Sequence, residues 1–258
     1  RPGFSIMDSK DSENLIADIL RRTPATDVPE IRAIQNKISS FKSALTTPSE
    51  ALAEDHSDPI ARLAAVCYGQ YDEALKAFNA VDFDDLIMQP VSLLQTDAES
   101  CKYWRDEIRY LLVDEYQDTN LSQYELVRLL VGDRGMMTVV GDDDQSIYAW
   151  RGARPENLDA LQGDFPNLNV IKLEQNYRSV GTILNAANHL IANNPHVFTK
   201  NLWGERGHGD KIRVNGAKDE HDEVGYVANE ILHQRMLSSR KFSDYAILFR
   251  SNHQARLF

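Results

Sequence analysis

Cysteine is scarce in this chain of 258 residues: Cys67 and Cys101 are the only two, in separate helix-like segments and without CxxC spacing. A disulfide or a zinc pair is therefore not indicated, and both read as reduced thiols of a cytoplasmic protein. No apolar run approaches the roughly 18 residues that a membrane-spanning helix needs. No basic-then-apolar segment marks a secretory signal near the N-terminus. Internal repeats and low-complexity tracts are also missing. Positive charge is in short supply, with 28 Lys and Arg against 39 Asp and Glu, a net of −11. That balance argues against a protein that simply coats nucleic acid.

The deficit is uneven. Residues 1–96 carry 9 basic and 15 acidic groups, residues 97–176 carry 8 and 16, and residues 177–258 carry 11 and 8, giving nets of −6, −8 and +3. A globally acidic chain can still hold nucleic acid in a local groove. The chain opens at Arg1-Pro2-Gly3-Phe4 and stops at Leu257-Phe258 inside a helix-like pattern. Both ends read as cuts through a longer protein.

What is present divides into three stretches. In the first, Ile31, Ile34, Ile38, Phe41 and Leu45 recur at steps of three and four, as do Ile60, Leu63, Ala64, Cys67, Tyr71, Leu75 and Phe78. Each set makes one apolar helix stripe, and Thr47-Pro48-Ser49 between them carries helix-start chemistry. This predicts a small helical bundle over residues 1–96 with no catalytic constellation.

From about residue 109 the period changes. Tyr110–Val113, Met136–Val140 and Asn169–Leu173 are short apolar runs, each ending in polar residues, with a helical pattern from Leu121 to Val131 between the first two. Strand, helix, strand predicts a parallel α/β sheet, and such sheets bind ligands at the carboxyl ends of their strands. Asp114, Asp142 and Glu174 are therefore expected along one sheet edge. After residue 177 a second α/β unit is expected. It would hold a helix capped by Ser179 and ending near Asn193-Asn194-Pro195, a strand near Ile212–Val214, a helix from Glu220 to about Leu237 and a strand over Tyr245–Phe249.

Three clusters carry chemistry. In Leu111-Leu112-Val113-Asp114-Glu115-Tyr116-Gln117-Asp118, a buried strand delivers two adjacent carboxylates, the shape of a Walker-B site. Asp114 suits a magnesium ion bridging two phosphates, and Glu115 suits orienting and deprotonating an attacking water. In Gly141-Asp142-Asp143-Asp144-Gln145-Ser146-Ile147-Tyr148-Ala149-Trp150-Arg151, the neutral amide of Gln145 can report a γ-phosphate without adding charge. Tyr148, Trp150 and Arg151 make an aromatic and guanidinium platform for single-stranded bases. In Leu173-Glu174-Gln175-Asn176-Tyr177-Arg178-Ser179, Tyr177 fits adenine stacking and Arg178 a phosphate contact. The bland alternatives are a solvated acidic turn, a core tryptophan, and a strand-end salt bridge with a helix cap.

Taken together the three clusters resemble superfamily 1 DNA helicases of the UvrD/Rep/PcrA group, and the likeness is greatest to the group's bacterial Rep branch. Val81–Ile87, Ala192–Phe198 and Ile247–Gln254 match as well. The resemblance implies a helical 1B-like subdomain over residues 1–96. It implies the second half of a RecA-like motor domain 1A over 97–176 and the first part of motor domain 2A over 177–258. It implies ATP and Mg²⁺ as cofactors, single-stranded DNA and duplex junctions as partners, 3′–5′ translocation, and replication or repair proteins as further partners.

One departure is sharp. A Walker-A loop needs G-x-x-x-x-G-K-[ST], and this chain contains no Gly-Lys dipeptide. The nearest imitation, Gly204–Lys211, has Asp210 where the lysine belongs. The chain by itself is thus expected to hold half a catalytic site and to be inactive. A catalytically inactive, helicase-derived interaction domain is the alternative function. A metal nuclease built on Asp142–Asp144 is a third, and it requires a nearby lysine in a strand; Lys172 is the only lysine between residues 103 and 199.

Overall fold

The computed structural model describes residues 3–22 and 30–258 and divides the chain into two compact units. The first takes the chain up to Glu174 together with Leu190–Asn201; the second is Gln175–His189 with Leu202–Phe258. The architecture is mixed α/β, dominated by helices, with small parallel sheets.

In the first unit, α1 (Ser9–Arg22), α2 (Ile31–Ser43), α3 (Pro48–Ala53) and α4 (Pro59–Ala77) form the helical bundle that the apolar stripes predict. Ile34, Ile38 and Phe41 of α2 meet Ala64, Cys67, Tyr68, Tyr71 and Leu75 of α4 in one core. Each fully buried apolar side chain of this kind stabilises the fold by about 1.5–3 kcal/mol. Leu45 falls beyond α2 in a left-handed conformation, and Phe78 caps α4 while exposed, so each stripe stops a turn earlier than its spacing suggests. Thr47 starts α3 through a capping box: its hydroxyl accepts from the Glu50 N–H, and the Glu50 carboxylate accepts from the Thr47 N–H. Cys67 and Cys101 are both buried free thiols.

Two features of this unit are not in the sequence reading. Ser5–Ile6 (β1) pairs in parallel with Ala80–Val81 (β2). Beside that pair, Lys42 is buried, 1% exposed, with its ammonium 2.7 Å from Asp82 and 2.8 Å from Asp85. The Tyr71 hydroxyl lies 3.0 Å from the same Asp82 carboxylate. The stretch Val81–Ile87 thus holds the bundle to α5 (Asp85–Thr96) through a buried ion network.

After α6 (Ala98–Glu107), β3 (Leu111–Val113) pairs in parallel with β4 (Met137–Val139), joined by α7 (Leu121–Val131), as expected. One face of the pair, Leu111, Val113, Met137 and Val139, packs on Tyr116, Tyr124, Val127, Val131 and on Leu158 and Leu161 of α8 (Glu156–Asp164). The other face is open: Leu112 is 75% exposed. The expected buried strand is therefore covered on one face only.

The third run is not a strand. Residues 169–173 pair with nothing in the described chain, and Leu173 is 81% exposed. Strand conformation is held by a neighbour's ladder, and this run has no such neighbour. For the same reason residues 212–214 and 245–249 of the second unit are not strands. That unit does contain the two predicted helices, α9 (Gly181–Ile191) and α10 (Glu220–Leu237), the latter capped by Asp219. A lone parallel bridge links Gln175 to Trp203. No helix among the described residues is long and apolar enough to cross a membrane.

Candidate functional site

The parallel pairing of β3 and β4 decides the placement of the first two clusters. Both strands run the same way, so Asp114 and Asp142 leave the sheet at its carboxyl edge. The ladder continues past each strand: the Val140 N–H donates to Val113 O at 2.8 Å, and the Tyr116 N–H donates to Val140 O at 3.0 Å. Glu174 follows an unpaired run, so the expectation of three acids along one edge holds for two of them.

Asp114 is exposed, and its Oδ1 accepts the Glu115 N–H at 2.9 Å. Glu115 has φ 51° and ψ 44°, the left-handed region. That conformation is costly for any residue that carries a Cβ, of order 1–3 kcal/mol, and persists only when its surroundings over-determine it. Here the constraint comes from Gln117, which is buried. Its amide nitrogen donates to Glu115 Oε2 at 2.8 Å, and its amide oxygen accepts the Asp142 N–H at 3.0 Å. Its backbone carbonyl accepts the Ser146 hydroxyl at 3.2 Å. One side chain therefore fixes the first acidic cluster against the second. Gly141 makes room for it, since a Cβ at that position would lie 2.9 Å from Gln117 Oε1.

In the second cluster, Gln145 is exposed and its amide nitrogen donates to Asp142 Oδ2 at 2.6 Å. The acids are not a solvated run. Lys200 pairs with Asp142, with Asp143 at 2.5 Å and with Asp144 at 3.1 Å. His196 Nδ1 lies 2.7 Å from Asp144 Oδ1. The N–H groups of Val197 and Phe198 donate to Asp143 Oδ2 at 2.8 and 3.2 Å. Burial would raise the carboxyl groups of Asp142 and Asp143, but hydrogen bonds from Lys200 and neighbouring donors hold both below the usual carboxylate range. The same partners outweigh burial at Lys200 and push its ammonium well above its ordinary value.

Farther along the loop, Arg151 lies 4.5 Å from the Trp150 ring centroid and 5.4 Å from that of Tyr148, and the two rings are 6.3 Å apart. Trp150 is 70% exposed, so it is not part of a core. Such a surface matches the requirements for cation–π contact and base stacking. The loop is anchored behind this platform, where the Arg154 N–H and the buried Asn157 amide both donate to Thr119 O, at 2.9 and 3.0 Å.

Tyr177 and Arg178 belong to the second unit. Both are exposed. The Tyr177 hydroxyl donates to Gln175 Oε1 at 2.7 Å, the Arg178 N–H donates to Asn176 Oδ1 at 2.9 Å, and Arg206 reaches the carbonyls of both residues. The Arg178 guanidinium takes no part in these contacts, and the Tyr177 ring is held only through its hydroxyl.

The structure thus brings Asp114 and Glu115 together with Asp142 and Gln145, and groups Tyr148, Trp150 and Arg151. Two contributors escaped the sequence reading. Gln117 stands within the first cluster with no role that its spacing marks, and Lys200 lies 58 residues from its partner Asp142.

Residues 1–166 match the family of UvrD/REP helicase N-terminal domains, and residues 171–258 match UvrD-like helicase C-terminal domains. The chain is 52% identical to the ATP-dependent DNA helicase Rep of Escherichia coli K12, over all of this chain and 38% of the relative. It is 42% identical to Rep of Buchnera aphidicola from Acyrthosiphon pisum, over 98% of this chain and 39% of the relative. It is 42% identical to the ATP-dependent DNA helicase PcrA of Staphylococcus aureus Mu50, over 98% of this chain and 35% of the relative. The chain therefore spans less than two-fifths of the length of these relatives.

Proposed function

The chain belongs to the UvrD/Rep helicase family, and from that premise we propose that it is the acidic and sensor part of an ATP-driven 3′–5′ DNA helicase. On this reading residues 1–96 are a 1B-like subdomain. Residues 97–176 are the later half of a RecA-like motor domain 1A, and residues 177–258 are the start of domain 2A. The whole protein couples ATP hydrolysis to movement along single-stranded DNA and to duplex unwinding.

The observation that carries this reading is the Gln117 bridge between two acidic clusters at the carboxyl edge of paired parallel strands. That edge is where open α/β sheets bind ligands. Asp114 is a hard oxygen donor at the strand end, with no ion pair among the described residues, and so fits Mg²⁺. The metal would neutralise charge on the phosphates. Glu115, held by Gln117, accepts the proton of the attacking water. Gln145 offers an uncharged amide to the γ-phosphate, Tyr177 stacks on adenine, and Arg178 contacts phosphate. Tyr148, Trp150 and Arg151 hold unpaired bases. The chain has no phosphate-cradling lysine of the Walker-A kind, so on its own it hydrolyses no ATP.

The test is Glu115→Gln in the full-length protein. The carboxamide keeps shape but cannot take a proton. ATP binding should persist while DNA-stimulated hydrolysis falls by about 10²–10⁴. Near-normal turnover would remove Glu115 from this role.

A further inference from the structure

The segment Ala192–Lys200 follows α9, yet Leu190–Asn201 returns to the first unit and closes on the Asp142–Gln145 loop. Every polar group that this segment turns toward the loop meets a carboxylate. Asp143 is capped by two successive N–H groups and the Lys200 ammonium, Asp144 by His196 and Lys200, and Asp142 by Lys200. Val197 and Phe198 anchor the segment from beneath, packing against the core that also supports β3 and β4. Three adjacent acids repel one another, and a short loop carrying them would splay without a counter-charge. Lys200 supplies that charge from a side chain that is itself mostly buried.

The consequence runs to Gln145. Its amide has one hydrogen-bond partner here, Asp142 Oδ2, and the other oxygen of that same carboxylate is the one Lys200 grips. Asp142 Oδ1 also accepts the Asp144 N–H at 3.2 Å, so Lys200 is the charged one of two groups that orient Asp142, and through it Gln145. We propose that Lys200 is a positioning residue for the sensor loop: it fixes Asp142 so that the Gln145 amide is presented in one orientation. This rests on the reading of Gln145 as the γ-phosphate sensor. A cation site on Asp143, Asp144 and His196, whose ligand atoms lie within 4.8 Å of one another, is a poorer account. An ion there would have to displace an ammonium already held by all three acids. The nuclease reading needs its lysine in a strand, and Lys200, the lysine beside these acids, lies outside every described strand.

The experiment uses the full-length helicase with Lys200→Met, Lys200→Arg, Gln145→Ala and the Lys200→Met/Gln145→Ala double variant. Hydrolysis at saturating single-stranded DNA is measured together with hydrogen exchange over residues 141–146. Lys200→Met should raise exchange of the loop amides and lower kcat about 10- to 100-fold, the scale of a small misplacement at a reacting centre. KM for ATP should change less than about threefold, and DNA affinity without nucleotide should hold. Lys200→Arg should restore most of the loss, because a guanidinium can span several carboxylates. In the Gln145→Ala background, Lys200→Met should cost little more, as expected when one residue acts through the other. Unchanged loop exchange in Lys200→Met, or an equal further loss on top of Gln145→Ala, overturns the proposal. Should Gln145→Ala alone hydrolyse ATP normally, the sensor role of Gln145 falls, and Lys200 stands or falls on the exchange of residues 141–146.

Discussion

Replacing Trp150 with alanine separates a DNA-contacting platform from a merely structural tryptophan, because the two roles predict opposite losses. The indole is 70% exposed, and its one described specific partner besides Tyr148 is the Arg151 guanidinium at 4.5 Å. Truncating a side chain outside the core usually changes stability by less than about 0.5 kcal/mol. An exposed cation–π contact adds roughly 0.5–1 kcal/mol. The total cost to folding should stay near 1 kcal/mol, well below the 3–5 kcal/mol typical of removing a buried aromatic ring. Stacking on an unpaired base, by contrast, is worth about 1–3 kcal/mol per base. That converts to a 5- to 150-fold weaker affinity at about 1.4 kcal/mol per tenfold. The assay is paired: titration of fluorescent single-stranded oligonucleotide into the full-length Trp150→Ala protein, and urea unfolding of the same variant. Nucleotide affinity without DNA should be unchanged. Wild-type DNA affinity combined with a loss of 3 kcal/mol or more in stability would refute the reasoning and return Trp150 to a structural role.

Two further predictions concern the charge networks. Lys42→Met leaves Asp82 and Asp85 facing each other without their shared cation. Breaking a buried pair in this way costs about 3–5 kcal/mol, read by urea unfolding, and adding Asp82→Asn and Asp85→Asn should recover much of it. The Lys200 clamp should open at acid pH. Asp142 and Asp143 are held below their unfolded values near 4, so the stability they contribute is complete above about pH 4 and is lost as pH falls through their lower folded values. Hydrogen exchange at residues 141–146 should be flat from pH 8 to 5, after correction for the intrinsic rate, and rise below about pH 4.

Much of the helical structure is legible in the residues themselves. α2 and α4 carry their own signal in apolar spacing, and α7 and α10 fall on the helical stretches expected over Leu121–Val131 and from Glu220 to about Leu237. A helix satisfies its backbone from within, so a local pattern is enough. The runs Asn169–Leu173, Ile212–Val214 and Tyr245–Phe249 are equally apolar and β-branched, yet none is a strand. A strand needs a partner some distance away, and no local composition supplies one. β1 and β2 show the converse. Ser5–Ile6 and Ala80–Val81 have almost no strand signal, and they pair because the bundle brings them side by side.

The site divides along the same line. Asp114, Glu115, Asp142 and Gln145 are visible because two adjacent acids at a strand end, and an amide after three acids, are local patterns. Gln117 lies within the first of these motifs, but its function is geometric: it reaches back two residues to Glu115 and across 25 residues to Asp142. Lys200 is the harder case. Lys172 is the one lysine between residues 103 and 199, and its ammonium donates to Thr199 O at 2.7 Å instead of reaching the acids. The effective lysine is one position farther on, and nothing near it in sequence marks it as the counter-charge of a loop 58 residues upstream. Charge balance still offers a trace of it. Residues 97–176 carry a net of −8 and the stretch after them a net of +3, so the chain that follows is the one stretch with basic groups in excess. That imbalance points to the region where a partner lies, and only the packing of Val197 and Phe198 on the core of β3 and β4 selects Lys200 within it.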